Sequence, residues 1–245
     1  MALIEVQNFR KSFGSKLVHE DVSFYVKKGE CLGLVGGSGV GKSVILRSII
    51  GLEKPDSGRI LIGDQEITKF SEREWLQLRK KVAYAFQGGA LFDSMNIFEN
   101  LAYPLLEHTK LTSAEIQKKI IAQLTDFGLA GTEKLYPNEL SGGMQKRVGL
   151  ARAMMLEPEI ILYDEPTAGL DPFKTKKIQE LILNLKTKNV TSILVTHDMP
   201  TAFAVCDKFV FLKDKIVKEQ GTLEQLREKN QSNSLIHQFI EGNIL

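Results

Sequence analysis

The chain has 245 residues and is 43% apolar, enough to close a core over one α/β unit with an insertion, or over two small domains. Its 32 basic and 30 acidic residues leave a formal charge of +2, which argues against a nucleic-acid surface. No stretch approaches the roughly 18 apolar residues that a membrane helix needs, so work at a membrane would be done by docking there.

The start MALIEVQNFRKSF carries no long apolar leader region. Residues 3–9 and 18–26 mostly alternate apolar and polar positions, as in Val18, Val22, Phe24 and Val26, and Lys27-Lys28-Gly29 then reads as a turn. This predicts two antiparallel strands. A short apolar run from Cys31 to Val35 enters a glycine-rich loop, after which Ile45, Leu46, Ile49 and Ile50 recur at helical spacing. Apolar runs at 82–86, 160–163 and 192–196 predict buried central strands with helices between them, hence a largely parallel sheet. The segments 96–107, 113–127 and 141–156 read as helices, the second a capped amphipathic one with Ser113, Ile116, Ile120, Ile121 and Leu124. An all-helical insertion predicts a second subdomain. Past Gly221 come two short helical patterns, 223–229 and 234–241, whose Leu235, Ile236, Phe239 and Ile240 would bridge protomers, bind a regulatory partner or fold back. Cys31 and Cys206 match no metal-ligand spacing and lie in apolar stretches, which predicts buried thiols in a reducing cytosol.

The run Gly36-Gly37-Ser38-Gly39-Val40-Gly41-Lys42-Ser43 has the spacing of a phosphate-binding loop and stands between a predicted strand and helix, the context that motif requires. Its glycines let successive N–H groups turn toward an anion, and the following helix aims its positive end at the same place. Lys42 is expected on the outer phosphates of ATP and the Ser43 hydroxyl on Mg2+. Asp164 and Glu165 follow a buried strand, where α/β sheets hold their ligands. Asp164 is expected to orient Mg2+, and Glu165 to act as general base on the attacking water. His197 also emerges at a strand end, to contact the γ-phosphate or to serve as a structural histidine. His19, His108 and His237 carry no assignment.

At Leu140-Ser141-Gly142-Gly143-Met144-Gln145 the sequence resembles the signature of the ABC ATPase family, and the resemblance spans nearly the whole chain. It implies an α/β P-loop NTPase of ABC ATPase type, with a mostly parallel central sheet, an antiparallel β subdomain and a helical subdomain insertion. The corresponding division is an ATP-binding core over 1–87 and 159–222, a helical signature subdomain over 88–158 and a C-terminal helical extension over 223–245. The resemblance further implies that Ser141, Gly142, Gly143 and Gln145 face the nucleotide held by a second copy, in an ATP-dependent head-to-tail homodimer. Gln87 would touch Mg2+, Ala168-Gly169-Leu170-Asp171 would lie where the protomers meet, and His197 would be the switch histidine. Phe13 sits where the family stacks an aromatic on adenine, although a core phenylalanine is a rival there. Val44 stands where many members carry Thr or Ser and so offers the nucleotide only a backbone N–H, and Tyr163 replaces a commoner aliphatic residue.

The stretches 41–46, 86–94, 98–100 with 107–109, and 142–148 look like the ATPases of Mce-associated, Mla-type lipid-transport systems of bacteria. That implies a cytoplasmic subunit, peripheral on the inner membrane, which powers an integral membrane permease alongside an Mce-domain lipid-binding protein and a small regulatory subunit. The same enzyme could instead serve an importer or exporter of another solute. A non-transport ABC protein would be expected to carry a long coiled coil or fused ATPase halves, and a small-molecule kinase would not explain residues 140–145. Phe92, Phe98 and Tyr103, after Gln87, would either receive the permease or pack inside the helical subdomain.

Overall fold

The computed structural model describes residues 2–228 and Leu235. Strands β1 (Ala2–Phe13) and β2 (Lys16–Lys27) pair antiparallel, and β4 (Ser57–Ile62) and β5 (Gln65–Glu66) extend that layer. Both long strands outrun the alternation in the sequence, because irregularities such as the one between Val6 and Phe9 interrupt the side-chain period while the ladder continues. The central strands are β3 (Cys31–Gly36), β6 (Val82–Ala85), β7 (Ile160–Asp164), β8 (Thr191–Val195) and β9 (Lys208–Lys213), with β10 (Ile216–Thr222) beside β9. All ten form one sheet in the order β5-β4-β1-β2-β10-β9-β3-β8-β7-β6. From β9 to β6 the pairing is parallel throughout, and the mixed sheet with inserted helices is the fold class expected from the sequence.

Burial on both faces explains the unbroken apolar runs. In β3, Cys31 and Val35 enter one core while Leu32 and Leu34 enter the other. The first core is shared with helices α3 (Ile97–His108), α4 (Ser113–Asp126) and α5 (Gly142–Ala153), which intervene between β6 and β7, and with α6 (Pro172–Thr187) and α7 (Met199–Val205). The second lies under α1 (Lys42–Ile49) and α2 (Glu72–Lys81). Helix α4 is capped by Thr112 rather than Ser113, since Thr112 and Glu115 have the spacing of a reciprocal capping box. Its Ile116, Ile120 and Leu124 are buried, whereas Ile121 faces solvent one position off that stripe.

Cys31 and Cys206 are buried free thiols, their sulfurs 3.6 Å apart, and the Tyr163 hydroxyl is buried without a hydrogen-bond partner. Helix α8 (Leu223–Glu228) ends the described main body and Leu235 packs on the first core. Ile236, Phe239 and Ile240 lie outside the described residues, as does the helix expected over 234–241 apart from Leu235.

Candidate nucleotide site

The phosphate loop runs from the carboxyl end of β3 into α1. Gly36 and Gly41 have φ of 152° and 93°, and both are also boxed in sterically. A Cβ on Gly36 would stand 2.4 Å from the Leu212 carbonyl oxygen, and one on Gly41 would meet Val18 Cγ1 at 2.4 Å and His19 Nε2 at 2.5 Å. Lys42 is buried, and its Nζ donates to the carbonyls of Gly36 at 2.7 Å and Gly37 at 2.9 Å. Burial lowers its pKa, opposed by the nearby Glu165 and Asp164 carboxylates. Ser38 and Gly39 are exposed and Val40 is half-buried at the loop's rim. The Val44 N–H donates to Gly41 O at 2.9 Å, so it is engaged within the loop's own turn.

Parallel pairing brings the carboxyl ends of β7 and β8 beside this loop. Ser43 Oγ donates to Asp164 Oδ1 at 2.7 Å, and Tyr84 in β6 donates to Asp164 Oδ2, also at 2.7 Å. Glu165 adopts φ of 51°, an uncommon conformation for a non-glycine residue, held in part by its N–H donating to Val195 O at 2.9 Å. Its Oε2 accepts from the His197 N–H at 3.2 Å. His197 Nε2 lies 3.0 Å from Oε1 without hydrogen-bond alignment, leaving that buried oxygen unpartnered. Burial raises the Glu165 pKa, opposed by His197 and Lys42 and reinforced by Asp164.

The arrangement gathers Lys42, Ser43, Asp164, Glu165 and His197, from three segments of the chain, into one cluster at the phosphate loop. Its hydroxyl and carboxylate oxygens suit a hard, partly hydrated cation such as Mg2+. Among the described residues no group of three His, Cys, Asp or Glu side chains offers an alternative metal centre. Gln87 is exposed just past β6. Phe13 is 44% exposed at the end of β1, with Lys11 Nζ 4.8 Å from its ring centre, and so does not belong to the core.

The signature residues stand apart from this constellation. Ser141 caps α5, accepting from Met144 N at 3.4 Å, and it and Gly142 are exposed. Gly143 is covered by the Lys174 side chain, and Lys174 pairs with Asp171 at 2.8 Å. Asp171 caps α6, and its carboxyl is held below the ordinary range chiefly by its hydrogen bonds from Lys174. Lys146 donates to Ala168 O, tying the same two segments together again. The Gln145 side-chain amide donates to Pro137 O at 2.7 Å within its own chain.

Two neighbours of the site carry no expectation from the sequence. Tyr84 is one, and the signal for it lies in strand pairing: Tyr84 aligns with Leu162, two residues before Asp164 and so on the same face of the sheet. His19 is the other. Its Nε2 donates to Gly41 O at 3.0 Å, its Nδ1 is buried without a partner, and burial lowers its pKa; nothing in the local sequence marks it.

Phe86, Phe92, Tyr103, Pro104 and Arg152 help to line a groove of about 420 Å3. Phe92 and Tyr103 are exposed and meet edge to face at 5.1 Å, whereas Phe98 is partly buried against the core.

Residues 19–168 match the family model described as ABC transporter. The chain is 43% identical to the "Probable ribonucleotide transport ATP-binding protein mkl" of Mycobacterium leprae, over 98% of this chain and 69% of that protein. It spans about two thirds of the length of such mycobacterial relatives. It is 38% identical to the intermembrane phospholipid transport system ATP-binding protein MlaF of Haemophilus influenzae, over 98% of this chain and 90% of that one. Among solved structures, a dimeric post-hydrolysis state of an ATP-binding cassette bound to ADP and Pi superposes with a TM-score of 0.83 at 30% identity, covering 90% of this chain and 98% of the other.

Proposed function

Because the chain belongs to the ABC transporter family, as an ATP-binding and ATP-hydrolysing subunit, we propose that it works as a head-to-tail pair driving a membrane permease that moves phospholipids or related lipids. The observation that carries the enzymatic part is the convergence of Lys42, Ser43, Asp164, Glu165 and His197 at the ends of β3, β7 and β8.

In this reading Lys42 leaves the Gly36 and Gly37 carbonyls for the outer phosphates, and the N–H groups of 36–43 wrap the rest, the Val44 N–H staying on Gly41 O. Ser43, Asp164 and Gln87 hold Mg2+, which when bound offsets the charge on the terminal phosphates. Glu165 polarises the attacking water, and the burial that raises its pKa makes its carboxylate a stronger base than an exposed one. His197 holds that water and the γ-phosphate in line, and Phe13 stacks on adenine. Each protomer gives these groups to one nucleotide and Ser141, Gly142, Gly143, Gln145 and Asp171 to the other. The groove beside Phe92 and Tyr103 would receive the permease, and the subunit would then work as a peripheral protein on the cytoplasmic face of the inner membrane.

The cargo is decided by the partners, because an ATPase subunit does not handle it. The lipid reading is supported by the Mla-type stretches and by the near full-length match to MlaF, whose system would add an Mce-domain lipid-binding protein and a small regulatory subunit. The name of the mycobacterial relative favours a second reading, transport of a ribonucleotide. Purifying the tagged chain from membranes of its own host and identifying the accompanying proteins and lipids by mass spectrometry separates the two. A permease with an Mce-domain protein and bound phospholipid supports the lipid assignment, and a different permease with none of these overturns it.

A further inference from the structure

We propose that Tyr84 is a positioning residue of the nucleotide site, its hydroxyl fixing the orientation of the Asp164 carboxylate for a divalent cation. The last torsion of an aspartate is soft and roughly two-fold, so a carboxylate at a strand end needs external donors to hold its plane. Asp164 has two donors, one on each oxygen: Ser43 Oγ on Oδ1 and Tyr84 OH on Oδ2, each at 2.7 Å. They differ in what happens when a cation arrives. Ser43 offers a lone pair to the metal and shifts with it, whereas Tyr84 is carried on β6 and held beside β7 by the parallel pairing, with its register partner Leu162 two residues from Asp164. The tyrosine is therefore the donor that persists in both states.

Its chemistry suits the role. The phenol presents a single O–H donor, and it is directed at Asp164 Oδ2 at 2.7 Å. The ring packs at 4.3 Å from that of Phe86, a contact that limits its freedom on that side. Donors to metal-bound carboxylates act on affinity through geometry rather than by touching the metal.

The inference rests on the assignment of Asp164 to the metal. The test compares wild type, Tyr84→Phe and Asp164→Asn as full-length proteins, using electron paramagnetic resonance to titrate Mn2+ into protein saturated with ATP. ATP binding in EDTA and thermal midpoint are measured alongside. Tyr84→Phe keeps the ring and loses only the hydroxyl, and is expected to weaken Mn2+ binding on the order of tenfold while changing metal-free ATP binding less than about twofold. Asp164→Asn is expected to weaken Mn2+ binding more. Unchanged Mn2+ binding in Tyr84→Phe beside a clear loss in Asp164→Asn overturns the role of Tyr84 alone, even with a lower thermal midpoint. No change in either variant overturns the metal assignment, and Tyr84's role falls with it.

Discussion

The two ends of the proposed catalytic machinery are built to different degrees of completeness. At the phosphate loop, Lys42 and Glu165 are buried and both Asp164 oxygens are already hydrogen-bonded within the chain. At the start of α5, Ser141 and Gly142 are exposed, and the nearby Phe173 on α6 is 72% exposed. One end is a cradle whose polar groups are already gathered and hydrogen-bonded within the chain. The other is a capped helix terminus open to solvent, a surface suited to meeting another molecule. The contrast teaches that the phosphate-loop end is assembled within one chain, whereas the signature end is left as open surface, as the proposed head-to-tail pairing requires.

The sharpest break between the two halves should come from Glu165→Gln, which removes the base without touching the binding elements. Steady-state ATP turnover is expected to fall by about 10²–10⁴-fold with ATP affinity retained. Lys42→Ala should instead weaken ATP binding by roughly tenfold or more, since it deletes a charged donor to phosphate. Turnover near the wild-type rate in the glutamine variant would remove Glu165 from the mechanism. The cradle's rigidity is tested next by Gly41→Ala, whose Cβ would meet Val18 and His19 at a φ of 93°. A loss of about 1–3 kcal/mol in folding stability is expected, measured by urea denaturation without nucleotide.

The smallest effect concerns charge. Glu165 faces Asp164 of β7, Lys42 of α1, Lys146 of α5 and His197 beyond β8, and burial is the largest influence on it. A carboxyl whose folded pKa is raised favours folding at low pH, and that contribution is lost as pH rises from the ordinary glutamate range through the folded value. Nucleotide-free Glu165→Gln should therefore melt above wild type at neutral pH, with the gap closing toward acidic pH. A constant gap across that range would contradict the burial argument.

Much of the cradle was legible from residue order because its groups come in short, locally defined runs. Glycine spacing, Lys42-Ser43 and the Asp164-Glu165 pair each follow a buried strand, and strand ends are where such sheets hold ligands. What stayed hidden depends on pairing across the sheet. Tyr84 reaches Asp164 only through the β6–β7 register, and His19 supports Gly41 from a strand far off in the chain. The positive φ of Glu165 has no local signature at all. Strand β10 carries Lys218, Glu219 and Gln220, so its composition does not announce a strand, and its place is set by pairing with β9.

The claim that the exposed signature end completes a second copy's site is tested most directly by measuring the mass of Glu165→Gln in solution by light scattering, with ATP, with ADP and without nucleotide. The account predicts a protein that doubles from its 27.4 kDa monomer only with ATP, and that stays monomeric yet ATP-bound when Ser141→Arg is added. A species of the same mass under all three conditions, or a dimer indifferent to Ser141→Arg, would contradict it.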